Sequence, residues 1–268
     1  MNRQMWLIVL TVAAVGVAAV LLYALPKMRP DQRPAPPPPA AAPSPDSGPQ
    51  IRYPIEAGKK PLPPLNQSDV AVRVAILDVL GDRSLEALVN PQQLVRRVVA
   101  TIDNLPRRKL APHLMPMKPV SGNLLTMGVD GSTAIAPENS ARYFRYVGIV
   151  ETLDAKRLVA VYAQFYPLFQ QAYQELGYPN GYFNDRLIEV IDNLLETPDA
   201  RKPIRVVRPK VFFEFEEPEL EALPAGQKIL IRVGAVNASR IKAKLREIRA
   251  ELLMTGQNAE TAQTTGLR

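Results

Sequence analysis

Met5 to Leu25 is an unbroken run of 21 residues in which Thr11 is the one conventional polar side chain. At 1.5 Å per residue, a helix of that length matches the hydrocarbon core of a bilayer, roughly 30 Å. A chain with such a segment is expected to contact the membrane through it and to fold the remainder elsewhere. The run exceeds the apolar stretch of an ordinary signal peptide, about 7 to 15 residues, and Tyr23-Ala24-Leu25-Pro26 is a poor cleavage site. An uncleaved single-pass anchor over residues 1–25 is therefore expected, with Trp6 and Tyr23 near its two ends at headgroup level.

Proline dominates the adjoining segment. Of the 27 prolines, 14 lie between Pro26 and Pro64, including Pro36-Pro37-Pro38-Pro39, and this composition favours extended polyproline II. Residues 26–66 are expected to form a disordered Pro/Ala-rich stalk, able to reach roughly 120 Å if its 39 residues from Pro26 to Pro64 were fully extended. Counting Lys and Arg near the anchor sets Arg3 against Lys27, Arg29 and Arg33, which favours a cytoplasmic C-terminal domain. A long tether, by contrast, suits a domain held off a membrane within an envelope. The adopted expectation is a single-pass protein of a bacterial inner membrane with its soluble domain on the periplasmic side; a cytoplasmic domain is the alternative.

The remaining stretch, about 200 residues, suits one domain with a sizeable core. Cysteine is absent, which excludes disulfides, thiolate nucleophiles and cysteine-ligated zinc. The formal charge of +7 comes from 33 basic against 26 acidic residues, a mixed surface that gives no reason to expect nucleic acid as a partner.

Periodicity makes residues 67–254 mainly helical. Ser68 or Asp69 can cap a helix through Leu80, with Val70, Val74, Ile76 and Leu77 as its apolar stripe and Gly81 as its stop. Asn90-Pro91 opens a second, which turns Leu94, Val95, Val98, Val99 and Ile102 inward and ends at Pro106. Asp130-Gly131 between short apolar runs is a hairpin signal, so a small β-ribbon is expected. Helices are expected next at about 138–151, 154–176 (kinked at Pro167), 184–195, 227–233 and 238–253. Val211–Glu216 alternates as a half-buried strand would, and residues 255–268 read as a disordered tail.

Several segments in this order resemble a bacterial, membrane-anchored family carrying domain of unknown function 3014. They are Leu62-Pro63-Pro64-Leu65 with Ser68-Asp69, Arg97 through Pro106, Tyr166-Pro167-Leu168 through Tyr173, Leu176-Gly177-Tyr178-Pro179, Tyr182 through Arg186, and Gly226-Gln227-Lys228. Together they span about residues 51–250. The resemblance implies a membrane-tethered architecture and brings no activity with it.

Residues 143–183 hold 11 of the 17 aromatics. Aromatics at helical spacing ordinarily pack inward, and Phe165 and Phe169 are expected to do so. The functional alternative is a stacking surface made by Arg142, Tyr143, Tyr178, Tyr182, Phe183, Asn184, Asp185 and Arg186, at a turn before a helix whose first amides favour anions. His113 is the only histidine, sits in a Pro/Met loop and has no triad or metal-cluster companions. Glu214, Glu216, Glu217, Glu219 and Glu221 could bind a cation or work as an acid/base pair, but alternation favours a solvated face. Arg240, Lys242, Lys244, Arg246 and Arg249 make the last helix basic, diluted by Glu247 and Glu251. No catalytic residue, metal or cofactor is expected. The leading functional expectation is a non-catalytic envelope module that binds a protein or cell-wall partner. The alternatives are a carboxylate-dependent enzyme acting on an envelope glycan, or electrostatic attachment of the last helix to anionic lipid or polymer.

Overall fold

A computed structural model describes residues 50–81, 90–110, 112–118, 120 and 122–265, with side chains to Gln257. The apolar run Met5–Leu25 and residues 26–49 of the stalk lie outside the described residues. Among the described residues no helix is long and apolar enough to cross a membrane.

The domain is mainly helical, as the periodicity predicts. Its helices are α1 (Asp69–Leu80), α2 (Leu94–Asn104), α3 (Phe144–Thr152), α4 (Ala155–Glu175), α5 (Phe183–Leu195), α6 (Pro218–Ala222), α7 (Ala225–Arg232) and α8 (Ala235–Thr265). Short 3-10 turns occupy Leu65–Gln67, Pro112–Leu114 and Pro137–Tyr143, the last replacing the first half of the helix expected from residue 138. Strands β1 (Thr126–Val129) and β2 (Ser132–Ile135) form the expected antiparallel hairpin. Asp130 and Gly131 both take positive φ, 49° and 75°, which is what a two-residue turn matching strand twist requires.

A second ribbon pairs β3 (Val206–Val207) with β4 (Glu214–Phe215). It hooks onto β2 through the Ala134–Arg205 bridge and the Ile135 amide, which donates to the Ile204 carbonyl at 2.9 Å. The strand expected over 211–216 is thus only its last part: Val211 and Phe212 belong to the turn between β3 and β4 and are exposed.

Three apolar clusters form the interior. The first joins Leu65 and α1, α2, α4 and Phe183; the second joins α4, α5 and α8 around Leu252; the third lies under the second ribbon around Val206, Phe215, Leu220 and Ile231. Helix α2 turns Leu94, Val95 and Val99 inward as expected. Helix α1 does not follow its predicted stripe: Val72 and Val79 are buried, whereas Val70 and Val74 are exposed. Apolar residues occupy nearly all of its circumference, so the pattern alone did not define a face. Packing defined it, with Leu65 buried just upstream and the Asp69 carboxylate accepting the Gln93 and Leu94 amides at 2.7 and 2.8 Å. Asp69 caps α2 from a neighbouring helix, where Asn90-Pro91 had been expected to do so.

Two expected disordered regions are corrected. Residues 52–65 are not stalk but a strap packed on the domain. Tyr53 and Ile55 join the second cluster, Leu62 and Leu65 the first, and the Gly58 amide donates to the Ala163 carbonyl at 3.0 Å. Apolar side chains among the prolines supply the burial that a spacer lacks. Helix α8 continues to Thr265, although a tail was expected from residue 255; Ala259, Glu260, Ala262 and Gln263 are good helix formers set among four threonines. Its Gly256 lies against the strap: a Cβ there would meet the Pro54 carbonyl oxygen at 2.5 Å.

Asp69→Ala leaves two amides at the head of α2 uncapped, a loss of about 1 kcal/mol. For a domain of this size, the melting temperature is expected to fall by about 2–4 °C in a thermal melt followed by circular dichroism.

Candidate functional site

The turn from Tyr178 to Arg186 joins α4 to α5, and α4 organises it from below. Gln170 on α4 accepts the Phe183 amide at 2.9 Å and the Tyr166 hydroxyl at 3.0 Å through Oε1, and donates from Nε2 to the Gly181 carbonyl at 2.7 Å. One amide expected to be open to an anion at the head of α5 is therefore already bonded within the chain. Tyr178 stacks on Tyr173 at 4.5 Å between centroids, and Phe183 stacks on Phe169 at 5.8 Å. Phe183 and Asn184 are completely buried, so neither can be part of an exposed stacking surface. Most of the aromatic run is core, because its spacing follows the inner face of α4.

Asp103 is the centre of this region. It lies on the inward side of α2, one turn after Val99, and is 1% exposed. Its carboxylate accepts from Arg186 Nε at 3.2 Å, from Arg107 at 2.5 Å and from the Tyr178 hydroxyl at 3.3 Å. Arg186 also donates to the Asp103 backbone carbonyl at 3.0 Å and reaches Glu189 at 3.4 Å; Glu189 in turn pairs with Arg52 of the strap. A carboxylate this deep is tolerated because two guanidiniums and a hydroxyl replace its water.

Asn184 and Asp185 face the strap. Asp185 accepts the Tyr53 amide at 2.8 Å and the Arg52 amide at 3.1 Å, while Asn184 donates to the Tyr53 carbonyl at 2.9 Å and accepts the Tyr162 hydroxyl at 3.1 Å. Asn184 thus serves as a clasp between the strap and α4. Burial, then the neighbouring Tyr166 and Asp185, pushes the Tyr162 hydroxyl well above its ordinary pKa, and burial first and Asp185 second raise Tyr166 to about 12.

Arg142 and Tyr143 belong to a different cluster. Arg142 donates to Asn139 at 2.9 Å and to the Gly122 carbonyl at 2.7 Å, with its guanidinium 5.9 Å from the Tyr143 ring, and Asn139 donates to the Arg232 carbonyl. These bonds close the seam between the first ribbon and α7, and none of them reaches the 178–186 turn. Among the acidic residues after β3, Glu221 is structural: it accepts Lys228 at 2.6 Å and the Phe215 amide at 2.9 Å. Burial would raise its pKa, but those two bonds hold it below the ordinary carboxylate range. His113 is exposed, as expected of a loop residue. Among the described residues no group of three or more His, Asp or Glu is placed to hold a metal ion.

The basic face expected on the last helix is largely engaged. Lys244 is buried and donates to the Leu153 carbonyl, Lys242 donates to the Thr197 carbonyl, and Arg249 forms two bonds to Asp192.

The segments singled out by resemblance therefore meet in space. Asp103 comes from the first helical segment, Tyr173 and Gln170 from the second, Tyr178 from the turn, and Phe183 and Arg186 from α5. The last segment joins them: the Gly226 amide donates to the Leu105 carbonyl at 2.9 Å, and a Cβ on Gly226 would meet Leu194 at 2.6 Å. A family model described as Protein of unknown function (DUF3014) matches residues 94–249. The chain belongs to the DUF3014 family. No curated protein and no solved structure matches it. The DUF3014 match begins at α2 and leaves the strap and α1 outside, so the strap is docked onto the family domain from a part of the chain that the match does not reach.

The sequence reading overlooked Asp103 as a site residue, although an aspartate on the inward stripe of an apolar helix is a signal in itself. Arg107, Arg52, Glu189 and Gln170 carry no comparable local mark.

This geometry has two measurable outcomes. Asp103→Ala leaves Arg186 and Arg107 without their shared anion and is expected to cost about 3 kcal/mol, at the lower end for a buried pair because both guanidiniums keep contact with water; a chemical denaturation series measures it. Tyr162 and Tyr166 have folded pKa values above the unfolded value of about 10, so the stability they contribute is complete below that pH and is lost as pH rises toward 12 and beyond. Melting temperatures measured across alkaline pH are expected to fall from about pH 10 upward, less steeply in Tyr166→Phe.

Proposed function

We propose that the chain is a single-pass membrane protein whose DUF3014 domain is a non-catalytic interaction module of the bacterial envelope, held on the periplasmic side by the Pro-rich tether. The reading is supported most by how the side chains in and around residues 178–186 are used. Asp103, Asp185, Asn184 and Gln170 are engaged by other groups of the chain, and two of the four hold the strap by which the N-terminal sequence joins the domain. A site built this way fixes the domain at the end of its tether instead of cradling a substrate. The free tether under this reading runs from Pro26 to Ile51, 26 residues, with an upper reach of roughly 80 Å. That still permits contact with partners well off the bilayer.

A reporter active only outside the cytoplasm, fused after Arg268, is expected to be active, and the full chain is expected to stay with the membrane under alkaline extraction. A well-expressed but inactive reporter would retire the envelope assignment; release by alkali would retire the anchor. Asp185→Ala is expected to loosen the strap and speed proteolysis between Arg52 and Lys60, with the rest of the domain resistant.

A further inference from the structure

The tip of the second ribbon, residues 208–213, is the surface that the interior accounts for least. Phe212 is 80% and Val211 67% exposed, the two most exposed large apolar side chains among the described residues. They sit side by side at the outer end of a braced element. Arg232, half-buried, packs its guanidinium 4.6 Å from the Phe215 ring centroid and donates to the Phe213 carbonyl at 3.2 Å. Arg208 donates to the Val211 carbonyl at 3.1 Å, and its guanidinium lies 5.5 Å from the Phe213 ring centroid. The apolar pair is therefore held outward by a fixed turn.

Charge accompanies it. From Ala200 to Phe213 the chain carries Arg201, Lys202, Arg205, Arg208 and Lys210 and no acidic residue. All five are exposed, and Arg205 lies 3.8 Å from Asp130 at the foot of the ribbon. On the returning side Glu214 pairs with Val207 at the base of the turn and Glu216 and Glu217 follow toward the foot, so the charges within the turn itself are Arg208 and Lys210.

From this arrangement we infer that the 208–213 turn docks on the surface of an anionic phospholipid bilayer, with Phe212 and Val211 entering the interface and Arg208 and Lys210 meeting phosphates. A convex apolar apex flanked by two cations suits a continuous plane of lipid, whereas a protein partner would have to supply a matching cavity. The inference rests on the anchored reading above, because one aromatic and a few cations bind lipid only weakly. A tether of 26 residues makes the encounter intramolecular, with an effective concentration on the order of millimolar. Weak docking then suffices to bring the domain down onto the membrane that holds it.

The test uses the full chain reconstituted with its domain facing outward, in vesicles of zwitterionic lipid alone or mixed with phosphatidylglycerol. Trp6 is the only tryptophan, so Phe212→Trp in a Trp6→Phe background reports on the tip alone. Emission is expected to shift blue and to be quenched by brominated lipid in the anionic vesicles. Lys210→Gln, which leaves the Arg208 brace in place, is expected to lower the ratio of docked to undocked domain about fivefold for the one cation lost. Unquenched, unshifted emission in anionic vesicles from a chain that remains membrane-inserted and melts normally would overturn the docking and leave the anchor standing. A blue shift without quenching by brominated lipid would also overturn it, since Phe212 would then be seated on protein. A chain that fails to stay in the vesicles would instead sink the anchored reading.

Discussion

The shared carboxylate of Asp103 is the interaction on which the family domain turns. It stands on α2 in the apolar face, yet it binds Arg186 from α5, Tyr178 from the preceding turn and Arg107 from beyond its own helix. Each partner comes from a different stretch of chain, so the ion pairs set the angle between α2 and α5 in a way that apolar contact alone does not. The arrangement is costly to desolvate and therefore specific: displacing either helix would leave a buried charge without its counterion.

Around this centre, hydrogen bonds lead outward to the strap. Arg186 touches Glu189, Glu189 touches Arg52, and the amides beside that arginine end on Asp185. Asn184 adds the Tyr53 carbonyl on one side and the Tyr162 hydroxyl on the other, tying the strap to α4. Polar groups that look like a ligand site in the linear sequence thus bind the chain's own backbone. Their chemistry is the same in both roles, since carboxylates and amides serve a strand of backbone as well as they serve a ligand.

How much of this could be read beforehand depended on whether the deciding contact was local. The Asp130-Gly131 hairpin was legible because the turn's requirement for positive φ is written in two adjacent residues. Helix α4 was legible because its apolar period persists over 21 residues. The face of α1 was not, since valines and alanines encircle it and a tie from Asp69 to α2 settles the rotation. The strap was obscured by its prolines, with Tyr53, Ile55 and Leu62 too widely spaced to form a period. At the candidate site the location was legible from the crowding of residues 178–186, but the roles were not. Arg186 meets a partner 83 positions away, and no local pattern distinguishes a tyrosine that stacks in the core from one that faces solvent.

The strap also decides where mechanical load enters the domain. Any pull arriving along the chain from the N-terminal side of Arg52 acts first on the Arg52–Glu189 pair, on the bonds at Asp185 and Asn184, and on Tyr53 and Ile55 at the margin of the second cluster. Those contacts are few, and beyond Ile55 the next backbone hydrogen bond from the strap is that of the Gly58 amide to α4. Tension would peel the strap residue by residue, while the Asp103-centred body behind it kept its shape. The domain thus carries an extensible lead whose slack is stored against its own surface.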